Sequence, residues 1–327
     1  MSTNGFVTFE SVSRFSRLSE EPKNAGYTTE LEMGIGAGIV GDPNSAGTIG
    51  GYLREKSKPH RIFAVTAHHV VSQKQDKISL NDNVQVESPA GLDLDREQEW
   101  IDKERGKIRH IEDVEAKERE VVALGAKRSS NLCKLRETKD AIDIQQQGLE
   151  TRKAMNRTVG TVFASSGLRT VTWQSLSRYF FISPKKELNM DWALIELNGA
   201  RPATNSSQLH PSSDINGDDA IAADSTYVQK VGRITGHTLG QIDGYASVSL
   251  NDVRETYEMK AVKKPGAGGS SFVAHGDSGA WILDMSGNVL GMIIGGDTTG
   301  CTAFYTPIDM MLHDMEKRTG LGLEVMK

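Results

Sequence analysis

Cysteine is almost absent: 327 residues include two, Cys133 and Cys301, far apart in the chain. Two distant thiols cannot build a disulfide framework, so a reducing, cytoplasmic setting is expected. Long apolar runs are missing too. None approaches the ~18–20 residues that cross a bilayer as a helix, so no membrane span is expected. The start, Met1-Ser2-Thr3-Asn4-Gly5, carries neither a basic stretch nor an apolar core, and no secretory signal is read there. Positive charge is not in excess: 38 Lys and Arg face 43 Asp and Glu, a formal net charge of −5. That balance gives no electrostatic ground for a nucleic-acid partner.

What is present changes along the chain. From Met33 to about Pro89, glycine-rich turns alternate with short apolar runs such as Ile62-Phe63-Ala64-Val65, a β-like pattern. Between Asp93 and Glu120, 18 of 28 residues are charged and none is proline. Apolar residues there recur at seven-residue steps (Leu94, Ile101, Ile108, then Val114 and Val121), and again at Leu135, Ile142 and Leu149. This spacing predicts two helices joined near 125–130, an antiparallel hairpin projecting from the body. β-character returns at Arg157, with strand candidates at 159–163, 193–197, 228–231, 245–250, 280–283 and 289–294. Many short strands separated by turns predict an all-β barrel or sandwich. Residues 307–320 read as a closing helix, opened by Pro307 and ended at Gly320.

The chemistry concentrates at Gly276-Asp277-Ser278-Gly279, between a glycine-rich run and apolar Ala280-Trp281-Ile282-Leu283. A serine flanked by small residues can be turned outward as a nucleophile. In such a turn the N–H groups of Gly276 and Ser278 can converge on one small space, as an oxyanion requires. The same four residues also make an ordinary turn. A serine hydroxyl needs a base, and the base needs an orienting acid. Of eight histidines, the pair His68-His69 stands at the end of an apolar strand, where a loop or short helical turn can expose one ring.

At these residues the chain resembles the chymotrypsin-like serine peptidases. Val65-Thr66-Ala67-His68-His69-Val70 is similar to their Thr-Ala-x-His motif, and Gly47 to Leu53 to the Gly-Gly strand before it. Asp191-Trp192-Ala193-Leu194-Ile195-Glu196-Leu197 resembles Asp-x-Ala-Leu-x-x-Leu. Gly236-His237-Thr238-Leu239-Gly240 resembles the strand opening the second barrel of intracellular, HtrA-like members. Gly291 to Gly296 and Ala303 to Pro307 resemble the strands flanking the primary specificity pocket. The order His, Asp, Ser is the one this fold uses.

The resemblance covers roughly residues 33–90 and 157–318. It implies an all-β fold of two six-stranded barrels with a cleft between them. Residues 1–30 would be an extension of low order, 31–92 the first barrel's first part, and 93–156 the helical insertion. Residues 157–205 would complete that barrel, and 206–327 would form the second barrel with a C-terminal helix. It implies a catalytic His69, Asp191 and Ser278, and an oxyanion hole at Gly276, Asp277 and Ser278. Substrate would meet Phe272 at the pocket floor, Ala303 on its far wall, and His275, Gly295 and Gly296. Neither Phe272 nor Ala303 supplies a buried charge for a basic side chain, so an apolar or small side chain is expected at the cleavage point.

The chain also departs from the family. Gly279-Ala280-Trp281 replaces the usual Gly-Gly-Pro, and no activation cleavage site precedes the barrel, so no new N-terminal ammonium is expected beside Asp277. His68, His69 and His275 lack acidic or thiol partners at ligand spacing, so neither metal nor cofactor is expected. The function implied is a serine endopeptidase acting on protein or peptide substrates, with the hairpin recruiting or gating. The alternative is a catalytically silent domain of the same fold that binds proteins.

Overall fold

The computed structural model describes residues 23, 28–72, 79–80, 83–122, 132–173, 186–206, 227–250, 254–266 and 271–326. Most of the extension expected at 1–30 therefore lies outside the described residues. In chain order the strands begin with β1 (Gly36–Ile39), β2 (Gly47–Thr48), β3 (Gly51–Glu55), β4 (Lys58–Ala67), β5 (Ser79–Leu80) and β6 (Gln85–Glu87). They continue with β7 (Thr158–Ser165), β8 (Arg169–Trp173), β9 (Lys186–Met190), β10 (Trp192–Leu197), β11 (Tyr227–Gly232) and β12 (Gly236–Leu250). The last are β13 (Arg254–Lys263), β14 (Trp281–Asp284), β15 (Val289–Gly296), β16 (Thr302–Pro307) and β17 (Leu323–Val325). The helices are α1 (His68–Val71), α2 (Gly91–Val122), α3 (Leu132–Ala154) and α4 (Ile308–Thr319).

Two compact units result: Met1–Gly91 with Thr158–Lys327, and Leu92–Arg157. In the larger unit β11-β12-β13-β16-β15-β14 close a six-stranded antiparallel barrel. The other strands form a nine-stranded sheet in the order β17-β3-β4-β10-β7-β6-β1-β2, with β5 on β7, and β8 and β9 pair as a separate ribbon. The second barrel is thus a closed ladder of six, whereas the first is a longer open ladder extended by the C-terminal β17. The sequence pattern gave no sign of β17, because three residues carry too little periodicity.

The continuous apolar run of β4 reads as a strand covered on both faces, and Phe63, Ala64, Val65 and Ala67 are all fully buried. They share one core with Leu53, Trp192, Ala193, Leu194 and Ile195. Trp281, from the barrel strand β14, joins that core and ties the halves together. Its indole lies where side chains on Gly50 and Gly51 would stand; a Cβ on Gly51 would come within 2.4 Å of the ring. This close approach, rather than a turn, requires the glycine pair. Truncating a buried tryptophan of this kind costs about 3–5 kcal/mol.

Within the smaller unit, Leu94, Ile101 and Ile108 of α2 are buried with Ile142 and Leu149 of α3, and Trp100 packs against them. Gln98 bonds Gln146, and Arg105 Nη2 lies 3.0 Å from Asp143 Oδ1, so the helices run antiparallel. The heptad stripe of each helix is covered by the other. The side chains of Val114, Val121, Cys133 and Leu135 lie outside the described residues.

Candidate functional site

Strand β4 ends at Ala67 and the chain turns at once into the single turn α1, which lifts His69 out of the sheet. His69 Nδ1 lies 2.6 Å from Asp191 Oδ2, and the His69 backbone N–H donates to Asp191 Oδ1 at 3.1 Å. The His68 N–H donates to the Asp191 carbonyl at 2.8 Å. The Asp191 side chain is 1% exposed and that of His69 19%. A hydrogen on Nδ1 facing the buried carboxylate leaves the lone pair of the neutral ring on Nε2.

Asp191 is fixed from both sides along its chain. Two residues before it, Asn189 donates its N–H to Glu258 Oε1 at 2.8 Å, and its amide to Glu258 Oε1 and Thr256 Oγ1 at 2.6 Å each. The Asn189 carbonyl accepts from Thr306 Oγ1 at 2.8 Å. These partners stand on β13 and β16, so the second barrel grips the strand that leads to Asp191. One residue after it, Trp192 donates its indole N–H to Asp314 Oδ2 of α4 at 2.8 Å. Burial pushes the Glu258 carboxyl up to about 7, against the pull of Asn189 and Thr256.

The serine loop is two consecutive turns, closed by Asp277 N–H to Ala274 O at 3.0 Å and Ala280 N–H to Asp277 O at 2.9 Å. Their third residues, Gly276 and Gly279, have φ of 101° and 94°, which side-chain-bearing residues rarely adopt. Space demands glycine as well: a Cβ on Gly279 would stand 2.3 Å from Thr48 O and 3.0 Å from Ala67 N. The serine loop is therefore pressed against the strand end that carries His68 and His69. Among the described residues the N–H groups of Gly276 and Ser278 meet no internal acceptor. The Asp277 N–H is taken by Ala274, so its part in the loop is played by its carboxylate.

That carboxylate is fully buried and saturated. It accepts from Thr235 Oγ1 at 2.6 Å and from the N–H groups of Ile234 at 2.9 Å, Ala274 at 3.0 Å and Thr235 at 3.3 Å. Lys230 Nζ lies 3.1 Å away, also with a side-chain exposure of 0%. The absence of a new N-terminus had pointed to an unpaired Asp277; an internal ammonium from β11 is its partner. Burial acts to raise the Asp277 carboxyl, but Lys230, the Thr235 hydroxyl and the backbone donors outweigh it and hold it below the usual carboxylate range. Sequence reasoning passed over Lys230 as one charge in an apolar strand. The signal was there, since a lysine inside such a strand needs a buried anion.

Thr48 was missed as well. Its hydroxyl donates to Gly276 O at 2.8 Å and accepts the Arg233 N–H at 3.1 Å, while its N–H donates to Ser278 O at 3.0 Å. Its carbonyl accepts from Thr66 Oγ1 at 2.7 Å, three residues before His69. One first-barrel residue thus fastens the serine loop on both sides of Asp277.

Of the residues expected to meet substrate, Gly295 and Gly296 end β15 and Ala303 pairs with Gly296 across to β16. His275 is half-buried at the loop's edge. The Phe272 ring turns into the second barrel, packing in its core with Val228 and Tyr305. Among the described residues no three His, Cys, Asp or Glu side chains group as metal ligands would, and no helix is long and apolar enough to cross a membrane.

No protein-family description matches the chain, and no curated protein does. Among solved structures it is similar to chymotrypsin-like serine proteases. One is a glutamic acid-specific serine protease at 12% identity, covering 89% of this chain and 98% of that one with a TM-score of 0.41. The Nocardiopsis protease NAPase matches at 14% identity over 91% of this chain and 100% of its own, TM-score 0.37. Thermobifida fusca protease A matches at 15% identity over the same shares, 91% and 100%, with a TM-score of 0.39.

Proposed function

We propose that this protein is a serine endopeptidase that hydrolyses peptide bonds through an acyl-enzyme. The observation that carries the reading is the 2.6 Å contact between His69 Nδ1 and buried Asp191, beside a serine loop whose Gly276 and Ser278 N–H groups have no internal acceptor among the described residues.

In this mechanism the Ser278 hydroxyl attacks the peptide carbonyl and His69 Nε2 takes its proton. Asp191 keeps the Nδ1 hydrogen in place and stabilises the imidazolium. The negative charge that develops on the carbonyl oxygen falls to the N–H groups of Gly276 and Ser278. The imidazolium then gives its proton to the leaving amine, freeing the C-terminal half of the substrate and leaving the acyl-enzyme. A water molecule repeats the sequence on the ester, with His69 as base, and returns Ser278 to its hydroxyl. Protein or peptide chains are the substrates, and the charged helical hairpin would recruit or gate them. The scarcity of cysteine supports a reducing, cytoplasmic setting.

A fluorophosphonate probe tests the reading directly. Labelling is expected on Ser278, absent in Ser278→Ala and nearly absent in His69→Ala, with Asp191→Asn costing on the order of 10⁴ in kcat. Peptidase activity that survives intact in purified Ser278→Ala would sink it.

A further inference from the structure

Strand β15 runs past the serine loop. The Gly279 N–H donates to Ile293 O at 2.9 Å and the Ile293 N–H to Ala280 O at 2.8 Å. Its pairing with β14 reaches only Trp281 opposite Met292, while its other edge continues to pair with β16 through Gly296. Beyond Ile293, then, one edge of β15 has no strand partner among the described residues. Gly295 is open there: a Cβ built on it would meet nothing within 4 Å. Such an edge accepts an extended peptide as an added strand. A peptide laid along it toward Ser278 would send the side chain preceding the scissile bond between Gly295-Gly296 and the segment 272–275.

That gap is filled. A Cβ on Gly296 would stand 2.7 Å from Val273 Cγ1, so the valine is already in van der Waals contact with the glycine backbone. Val273 is 4% exposed. Its position is set by the loop opposite, since the N–H groups of Phe272 and Val273 both donate to Gly300 O, at 2.7 and 3.1 Å. Thr238 Oγ1 holds the Phe272 carbonyl at 2.9 Å. The Phe272 ring is thereby sent the other way: a Cβ on Gly240 would lie 2.6 Å from its Cζ, and Lys230 Nζ is 6.0 Å from its centroid. Behind the valine stand Ala303 and the apolar cluster of the barrel core, which holds no charged side chain among the described residues; Lys230 is spent on Asp277. The nearest acid on this loop, Asp297, is occupied by the N–H groups of Cys301 and Thr302 and the Thr299 hydroxyl.

We infer that Val273 plugs the specificity slot, so that the enzyme cleaves after small uncharged residues such as alanine, glycine or serine. This rests on the peptidase reading and deepens it. The fit follows from volume: a side chain of more than two heavy atoms would have to displace Val273 from its contact with Gly296 and from the barrel core. A charged one would also enter a slot that the described residues supply with no counter-ion. In the sequence alone, Phe272 and Ala303 suggested an apolar or small preference; Val273 decides for small.

The test is a set of tetrapeptide anilides that differ only at the residue before the anilide: Ala, Ser, Leu, Phe, Lys and Glu. Expected is kcat/KM for Ala at least about a hundredfold above Phe, Lys and Glu, in the range that pocket shape can discriminate. In Val273→Gly and Val273→Ala the ratio of Phe to Ala should rise tenfold or more. Wild-type preference for Phe, Lys or Glu, or a ratio that the substitutions leave unmoved, overturns the proposal. The plug is also read without turnover. In Ser278→Ala, a nuclear Overhauser contact between Val273 methyl and Gly296 Hα protons is expected, and its absence overturns the proposal whatever the activity. Failure of a simple fluorophosphonate to label Ser278 would instead strike the peptidase reading.

Discussion

Lys230 Nζ and Asp277 Oδ2 meet at 3.1 Å with no exposure of either side chain, directly beneath the serine loop. The pair ties β11 to the turn that presents Ser278. Five donors on one carboxylate hold that turn from within the chain, with no new N-terminus among them.

Removing the ammonium should therefore undo both fold and site. Lys230→Met leaves a buried carboxylate without its counter-ion, a change that costs about 3–5 kcal/mol. The expected outcome is a lower melting temperature and loss of fluorophosphonate labelling, measured together. Because the Asp277 carboxyl is held low, its stabilising contribution is present at neutral pH. It is lost only as pH falls through and below the ordinary carboxylate range. Labelling at wild-type rate in Lys230→Met would contradict this role.

Thr48 gives a finer test. Thr48→Val keeps the shape but strips Gly276 O of its donor and the Arg233 N–H of its acceptor. Leaving such buried groups unpaired costs about 1–3 kcal/mol. If that loss falls on the transition state, kcat drops about ten- to a hundredfold while KM moves little. Thr48→Ser, which keeps the hydroxyl, should recover most of the rate. Equal kinetics for the two variants would make Thr48 a packing residue only.

Glu258 should show itself in the pH dependence of stability. Its carboxyl titrates at about 7 in the folded chain against 4.5 ordinarily, because burial disfavours the charge. The folded state thus keeps a proton that the unfolded state gives up. Its share of stability is full at low pH and declines as pH rises from about 4.5 through 7, by about 3 kcal/mol in all. In a Ser278→Ala background, melting temperature should fall between pH 5 and 8, and Glu258→Gln should flatten that fall. An unchanged slope would remove Glu258 as the titrating group.

How much of this was legible follows from the range of each interaction. The β segments, the two helices and the His-Asp-Ser order stand in local patterns: apolar runs, seven-residue spacing and short motifs, each readable within a dozen residues. Lys230 with Asp277, and Thr48 with Gly276, are 47 and 228 residues apart. Nothing local links them. Phe272 shows the limit most plainly. The resemblance puts it at the pocket floor by counting from Ser278, but the direction of its ring depends on Gly240 and Thr238 across the barrel.

The sequence by itself determined many of the strands, where the two long helices fall, and which serine, histidine and aspartate match the motifs it resembles; it gave no sign of β8, β9, β13 or β17. The tertiary structure alone decided that Asp277 is paired from within, that Asp191 is gripped by the second barrel, and that Val273 packs against Gly296 while Phe272 turns into the barrel core. The physical reason is that periodicity and turn chemistry act over a few residues. The pairing of buried charges and the filling of a gap, by contrast, depend on distances that exist only once the two barrels have closed on one another.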